Sequence, residues 1–374
     1  MAALSDTLVV SLEQAVAAPY CTRLLAEAGA RVIKIERPGG DFARHYDTIV
    51  NGESAYFVWL NSGKESLLLD AKNQNDQLLL AALLAKADVF IQNLRPGAVE
   101  ALGFGYKELI KTNPALVMCS ISGYGSEGEY AGKKAYDFLV QGETGLCSVT
   151  GAPGEPARAG ISVCDISTGL TAYGEILRAL LERNHDGKGT HLDVSLFGVM
   201  TEWMSVPLVV YKYGDRLLSG TGLDHSQISP YGVHQAADGP FIIAVQHQGE
   251  WRDLCKKVLD RNDLADDPRF ATNVLRTENR AALTQEIEKF TRQFTRAEVA
   301  LKMESGGIAY GNLNNCRDVW DHPALRTKEV TSGNKTSTFV RRVCDTETSA
   351  RTIPALGEHT DKIREEFLTK TNNL

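Results

Sequence analysis

Residues 8–40 read LVVSLEQAVAAPYCTRLLAEAGARVIKIERPGG. Leu8–Ser11 is a short apolar run with paired valines and reads as a strand. Tyr20–Ala28 is helix-like and stops at Gly29, the residue type that best accepts the left-handed turn at a helix end. Val32–Glu36 is a β-branched strand halted by Arg37-Pro38-Gly39-Gly40, because proline and paired glycines break regular structure. The strand–helix–strand order sets the fold class: an α/β protein with a mostly parallel, Rossmann-like sheet.

The same alternation continues outward. Leu67–Asp70 reads as a strand and Asp76–Ala87 as a Leu/Ala-rich helix. Asp88–Ile91 is a strand leading into Arg95-Pro96-Gly97, and Leu116–Ile121 one ending in Ser122-Gly123-Tyr124-Gly125. Ligands of such sheets bind beyond the carboxyl ends of the strands, so the loops at 37–46, 93–97 and 122–137 are the places where a site is expected. Ile166, Leu170, Tyr173, Leu177 and Leu181 share one helical face, and Asn184–Gly189 ends that helix. Leu192–Leu196 reads as a strand, followed by a Met/Val-rich helical stretch to about Lys212. Near 215 the character changes. Ser219–Pro230 is rich in Gly, Ser and Thr, and Val233–Ala236 and Phe241–Val245 flank Asp238-Gly239, a hairpin signal. The chain is then helical and charged to about Ser305, so 215–325 reads as a second, smaller α+β domain. The tail closes with a helix near Asp361–Leu368.

Composition narrows the function. With 374 residues, 43% hydrophobic, 23% charged and a net charge of −7, the chain has the make-up of a soluble globular protein without the basic surplus of a nucleic-acid binder. No apolar run approaches the roughly 20 residues of a membrane helix. The start, MAALSDTLVVS, has no basic region leading into an apolar one, so a cytoplasmic location is the expectation. Seven scattered cysteines form no CxxC, and no Cys or His pair has ligand spacing, so no metal is expected.

Three kinds of chemistry can be weighed. Gly123-Tyr-Gly-Ser-Glu-Gly128 matches GxGxxG after a strand, but a dinucleotide site needs a helix opening inside the motif, and Glu129–Lys134 is poor helix-opening sequence. No GxSxG is present, and none of the eight histidines lies in a triad context. Asp165 heads the periodic helix and admits two readings. It can be an N-cap that accepts backbone N–H bonds, or a carboxylate ionised by the helix end and used as a nucleophile. The local sequence does not choose between them.

Eight stretches together resemble the class III CoA transferases, the family of formyl-CoA transferase and carnitine CoA-transferase. They are residues 17–41 (AAPYCTRLLAEAGARVIKIERPGGD), Gln92–Gly97, Leu102-Gly-Phe-Gly-Tyr106, Ser122–Gly125, Ala135-Tyr-Asp137, Asp165-Ile-Ser-Thr-Gly169, and Asp266–Phe270 with Leu356–Thr360 behind them. The resemblance spans nearly the whole chain. It implies a large CoA-binding domain, 1–214 plus 326–374, around a small domain, 215–325, in an interlocked homodimer. It places the nucleophile at Asp165, and CoA contacts at Val16, Ala17, Arg37, Leu69, Lys72, Asn93, Leu94, Arg95, Lys134, Tyr136 and Asp137. Arginine and lysine suit the phosphates of CoA. Asp137 stands where formyl-CoA transferase has a Glu. Val16 and Ala101 replace its Gln and Arg, and Gly220–Gly222 is only a loose analogue of its glycine-rich lid. These departures argue against a formate/oxalate enzyme.

The resemblance implies CoA transfer between carboxylic acids through an aspartyl-CoA thioester. Coenzyme A thioesters are the substrates, with no permanently bound cofactor. The Gly307–Asn314 run and the Ile353–Thr360 tail resemble members that take C4–C5 dicarboxylates, which points to succinyl-CoA as donor and itaconate, mesaconate or citramalate as acceptor. A second carboxylate buried without a partner is costly; Arg44, His45 and His247 are the expected partners. An acyl-CoA racemase of related fold, a nicotinamide-dependent oxidoreductase and a non-catalytic CoA-binding protein are the alternatives.

Overall fold

A computed structural model describes residues 2–343 and 351–368. Cys344 lies outside them. The chain divides into two compact units. The first comprises Met1–Leu146, Ala159–Val206 and Arg326–Leu374, the second Cys147–Arg158 and Pro207–Leu325.

The first unit is built on six parallel strands, β1 (Leu8–Leu12), β2 (Arg31–Glu36), β3 (Glu65–Leu68), β4 (Val89–Gln92), β5 (Val117–Ser122) and β6 (His191–Ser195), in the order β3-β2-β1-β4-β5-β6. Alternate residues of each strand pack on opposite faces, as a period of two requires. Val9, Val32, Val89, Ile91 and Val117 meet α1 (Ala17–Glu27) and α5 (Val163–Asp186) on one face. Val10, Ile33, Phe90 and Met118 meet α3 (Gln74–Leu84) and the C-terminal helix Thr360–Leu368 on the other. Burial on both faces explains why these strands are rich in Val, Ile and Leu at successive positions. Between them, α2 (Ala55–Asn61) and α4 (Asp137–Glu143) serve the loops at the carboxyl ends.

β1 pairs with β2 on one side and β4 on the other, so strand order reverses between β1 and β4. The crevice outside those two carboxyl ends is where open α/β sheets bind ligands. Helix α5 is longer than its periodic core suggested, 24 residues, and ends at Gly187 with φ 72°. A hairpin, Thr327–Ser332 with Lys335–Val340, lies ahead of the closing helix, where the sequence suggested no strand.

In the second unit the Asp238-Gly239 turn joins β7 (Tyr231–Ala236) to β8 (Gly239–Ala244), as the hairpin signal predicted. Ala309–Asn312 adds an antiparallel third strand. Its residues carry no alternation that could have revealed it. A core around Trp251, Phe270, Leu283 and Ile287 fills this unit. Gly220 and Gly222 donate backbone hydrogen bonds to Ser148 O and Gly151 O at 3.1 and 2.7 Å. A β-carbon on Gly220 would stand 2.4 Å from Gly151 O. The segment expected as a loose lid analogue is therefore tied to a neighbouring hairpin.

Candidate active site

Asp165 sits inside the first turn of α5, behind Ser162 at the N-cap position, and Ser162 makes no side-chain cap bond. The capping group comes from another element. The backbone N–H groups of Cys164 and Asp165 donate to Asp137 Oδ1 at 2.8 and 3.2 Å. Asp137 opens α4, and one turn on, fully buried Gln141 donates from Nε2 to Asp137 Oδ2 at 2.7 Å. Gln141 Oε1 also accepts from Ala159 N at 2.8 Å, fixing the approach to α5. This corrects the N-cap reading of Asp165: the helix-end donors go to Asp137, and the Asp165 carboxylate has no hydrogen bond or ion pair among the described residues.

The electrostatic outcome is the reverse of the one expected from a helix end. Burial, with the like charge of Asp137 adding to it, raises the Asp165 carboxyl to about 7. Tyr46 lies within electrostatic reach of Asp165, and Tyr56 stands by the N-cap of its helix. Tyr56 Oη lies 3.5 Å from Ser162 Oγ, and the rings of Tyr46 and Tyr56 meet edge-on at 5.6 Å. Burial and then the carboxylates of Asp41 and Asp165 push the Tyr46 phenol up to about 12; Tyr56 and Tyr136 add to this, so Tyr46 stays neutral. Tyr46 and Tyr56 carried no sequence signal, since no local pattern marks a residue that reaches a site only through a neighbouring element.

The position of α5 is set by contact with α1. Gly169, one turn beyond Asp165, lies so close to Ala17 that a β-carbon there would be 2.4 Å from Ala17 O. The turn that launches α1 is clamped by side chains from two other loops. Gln14 N donates to Asn93 Oδ1 at 2.9 Å and Asn93 Nδ2 returns a bond to Gln14 O at 2.8 Å. Ala15, held at φ 61°, donates to Asp41 Oδ1 at 3.2 Å. A non-glycine residue in that region is strained and needs such support. Beneath the turn, four fully buried side chains balance two negative and two positive charges. Lys34 pairs with Asp41 at 2.8 Å and with Glu13 at 3.4 Å, while Lys64 pairs with Glu13 at 2.7 Å.

The remaining residues expected in the site fall into three groups. Val16, Ala17 and Leu69 are buried at the strand ends, and Leu94 is half-buried with its N–H on Gln92 Oε1 at 2.8 Å. Arg37, Lys72, Arg95, Lys134 and Tyr136 are exposed, with Arg37 Nε bound to Gly40 O at 3.2 Å. The third group is the proposed carboxylate partners. Arg44 does not stand free for a substrate: Nε and Nη2 hold both oxygens of Glu36 at 2.8 and 2.6 Å, and its guanidinium stacks 3.7 Å from the centre of the Phe57 ring. Its charge is therefore consumed within the fold. His45 is exposed beside Gly39 O at 3.4 Å. His247, in the second unit, caps a helix there, its Nδ1 accepting from Gly249 and Glu250 N–H groups at 3.2 and 3.3 Å.

The Gly123–Gly128 run opens no helix; turns and irregular chain continue until α4 at Asp137. Gly123 instead backs onto Ala135, where a β-carbon would come within 2.1 Å of the alanine methyl. The dinucleotide reading loses the helix on which it depends. Among the described residues no group of three His, Cys, Asp or Glu side chains is placed to hold a metal, and no helix is long and apolar enough to cross a membrane.

Comparison with known proteins identifies the family. The model of CoA-transferase family III matches residues 4–360. An acetyl-CoA:oxalate CoA-transferase from Acetobacter aceti is 36% identical, covering 87% of this chain and 85% of its own. The human succinyl-CoA:glutarate CoA-transferase is 32% identical over 96% and 85%, and a succinyl-CoA:mesaconate CoA-transferase from Haloarcula hispanica 33% over 88% and 85%. The crystal structure of a CaiB/BaiF family protein from Brucella suis superposes with a TM-score of 0.83 at 35% identity, covering 98% of this chain and 99% of its own. With a family model that takes in nearly the whole sequence and relatives that align over most of its length, the chain belongs to the family III CoA-transferases.

Proposed function

We propose that this enzyme moves CoA from succinyl-CoA to a small dicarboxylate, with itaconate, mesaconate and citramalate as the first acceptors to try, and that Asp165 carries the CoA between them. The observation behind this is the Asp165 carboxylate itself, half-buried, unpaired among the described residues, and anchored by its backbone to Asp137. An unpaired carboxylate is a competent oxygen nucleophile once ionised. Its attack on the donor thioester carbonyl forms a C–O bond and breaks the C–S bond, leaving a mixed anhydride and CoA thiolate. The thiolate then attacks the aspartyl carbonyl, forming an aspartyl-CoA thioester and expelling the donor acid. The acceptor carboxylate attacks that thioester, and the returning thiolate carries CoA to the acceptor. Water must be kept out, because it would hydrolyse the anhydride.

The relatives support a dicarboxylate acceptor, since oxalate, glutarate and mesaconate all carry two carboxylates. They also weaken the argument against oxalate drawn from Val16 and Ala101, because a relative at 36% identity is named for it. With Arg44 committed to Glu36, His45 is the candidate left on this unit for the second carboxylate. Arg37, Arg95 and Lys134 are proposed for the phosphates of CoA, and a cytoplasmic homodimer for the assembled enzyme. The test is a matrix of acyl-CoA donors against carboxylate acceptors, read by mass spectrometry. Transfer to C4–C5 dicarboxylates above acetate, cinnamate and carnitine is expected; the reverse preference refutes the substrate assignment. An acyl group that is epimerised but never changes owner would establish the racemase instead.

A further inference from the structure

We propose that Asp137 is a positioning residue that also acts through its charge. It seizes the helix-end donors of α5, orients Asp165, and makes the free nucleophile shed its own charge more readily by acylation. This rests on Asp165 being the nucleophile.

The geometry gives two linked effects. Asp137 Oδ1 accepts from the N–H groups of Cys164 and of Asp165 itself, which pins the first turn of α5. Its other oxygen is held by Gln141 Nε2 at 2.7 Å, and Gln141 also lies 3.5 Å from Ala159 O and 3.4 Å from Ile161 O. One buried amide thus locks both the cap and the chain leading to the nucleophile. The second effect is charge. A helix N-terminus ordinarily stabilises a nearby anion, but here that stabilisation goes to Asp137, and Asp165 receives a like charge in its place. The other titratable groups in this region are the phenols of Tyr46, of Tyr56 beside Ser162 and of Tyr136 beside Tyr46, with Tyr20 of α1 packed at Gly169. None supplies a cation to the Asp165 carboxylate.

Attack on a thioester converts the Asp165 carboxylate into a neutral anhydride, and then into a neutral thioester. The first conversion removes one of two neighbouring negative charges, and the second keeps Asp165 neutral. Repulsion that disfavours the free anion therefore favours the covalent states. Burial makes the larger contribution to this bias and Asp137 the remainder.

The test compares wild type, Asp137→Asn and Gln141→Leu. Asparagine keeps an oxygen for the two N–H groups and removes the charge. The acidic limb of kcat/KM is expected to move down by about one pH unit in Asp137→Asn, leaving the part due to burial. The steady-state fraction of CoA-mass adduct on the Asp165 peptide should fall several-fold with it. Gln141→Leu should lower kcat at every pH and leave the limb in place, since the charge remains. An adduct on Asp165 with an unshifted limb in Asp137→Asn overturns this inference alone. The absence of any such adduct in wild type overturns the nucleophile as well. Should Asp137→Asn fail to fold, a carbon-13 carboxyl titration of wild type, assigned with Asp165→Asn, decides: a midpoint in the ordinary carboxylate range refutes the repulsion.

Discussion

A β-carbon on Gly169 would stand 2.4 Å from the carbonyl oxygen of Ala17, closer than any packed pair can approach. Helices α1 and α5 cross at this point, one turn from Asp165. The glycine thereby fixes how closely the first turns of α5, with Asp165, approach α1. Gly169→Ala must push the helices apart, with an expected loss of about 1–3 kcal/mol, the usual scale for overpacking. Activity should fall by roughly 100-fold, the scale for a catalytic group displaced by about 1 Å. Thermal melts and steady-state kinetics on one preparation check both. Activity that survives while stability drops would detach the crossing from catalysis.

Asp165→Asn is expected to abolish transfer, because an amide cannot form the anhydride. It should also raise stability above neutral pH. A carboxyl held at about 7 in the fold, against about 4 in the unfolded chain, penalises folding progressively from pH 4 to pH 7. The neutral amide escapes that penalty. The gain, reduced by solvent near this half-buried group, should be on the order of 1–2 kcal/mol at pH 8 and vanish near pH 4. Denaturant midpoints of the two proteins across that range provide the measurement.

Arg44→Ala tests the fold rather than the substrate. Burial pulls the Glu36 carboxyl up, but Arg44, Lys34 and Ser66 outweigh it and hold the group at about 2. Stability from a lowered carboxyl is present above its unfolded value and is lost as pH falls through the folded one. Removing Arg44 leaves Glu36 buried without its bidentate partner, at an expected cost of about 3–5 kcal/mol. Acid unfolding should begin at higher pH than in wild type. KM for a dicarboxylate and for a monocarboxylate of similar size should change alike; a selective rise for the dicarboxylate would return Arg44 to the substrate site.

Arg37→Ala and Arg95→Ala should leave the fold intact, since both side chains are exposed at strand-end loops. Each is expected to weaken acyl-CoA binding by roughly 1.5–3 kcal/mol, the scale of a hydrogen bond to a charged group. Dephospho-CoA should bind equally to wild type and to whichever variant has lost the 3′-phosphate contact. Calorimetry with both ligands distinguishes the two arginines, and unchanged affinity in both variants marks them as solvated surface charges.

Local chemistry wrote most of the large unit into the sequence. Strands buried on both faces favour apolar, β-branched residues, so Leu8–Ser11 and Val32–Glu36 were legible from their valines and isoleucines, while the buried charges of Lys34 and Glu36 stay there only because they are paired. The glycines at 29 and 187 announced helix ends because few other residues tolerate a left-handed backbone just past a last turn. Asp165 was legible as the head of a helix, and resemblance alone suggested it as a nucleophile. The sequence could not say who caps that helix. The answer lies 28 residues upstream in Asp137, a contact that exists only once α4 and α5 have packed. The same holds for Arg44. Its loop position suggested a substrate contact, but the folded chain brings the buried carboxylate of Glu36 against it, and a buried charge takes the nearest cation. Periodicity and turn chemistry are properties of neighbouring residues and survive in the sequence. Charge pairing and the ionisation of Asp165 depend on distance and burial, which only tertiary packing sets.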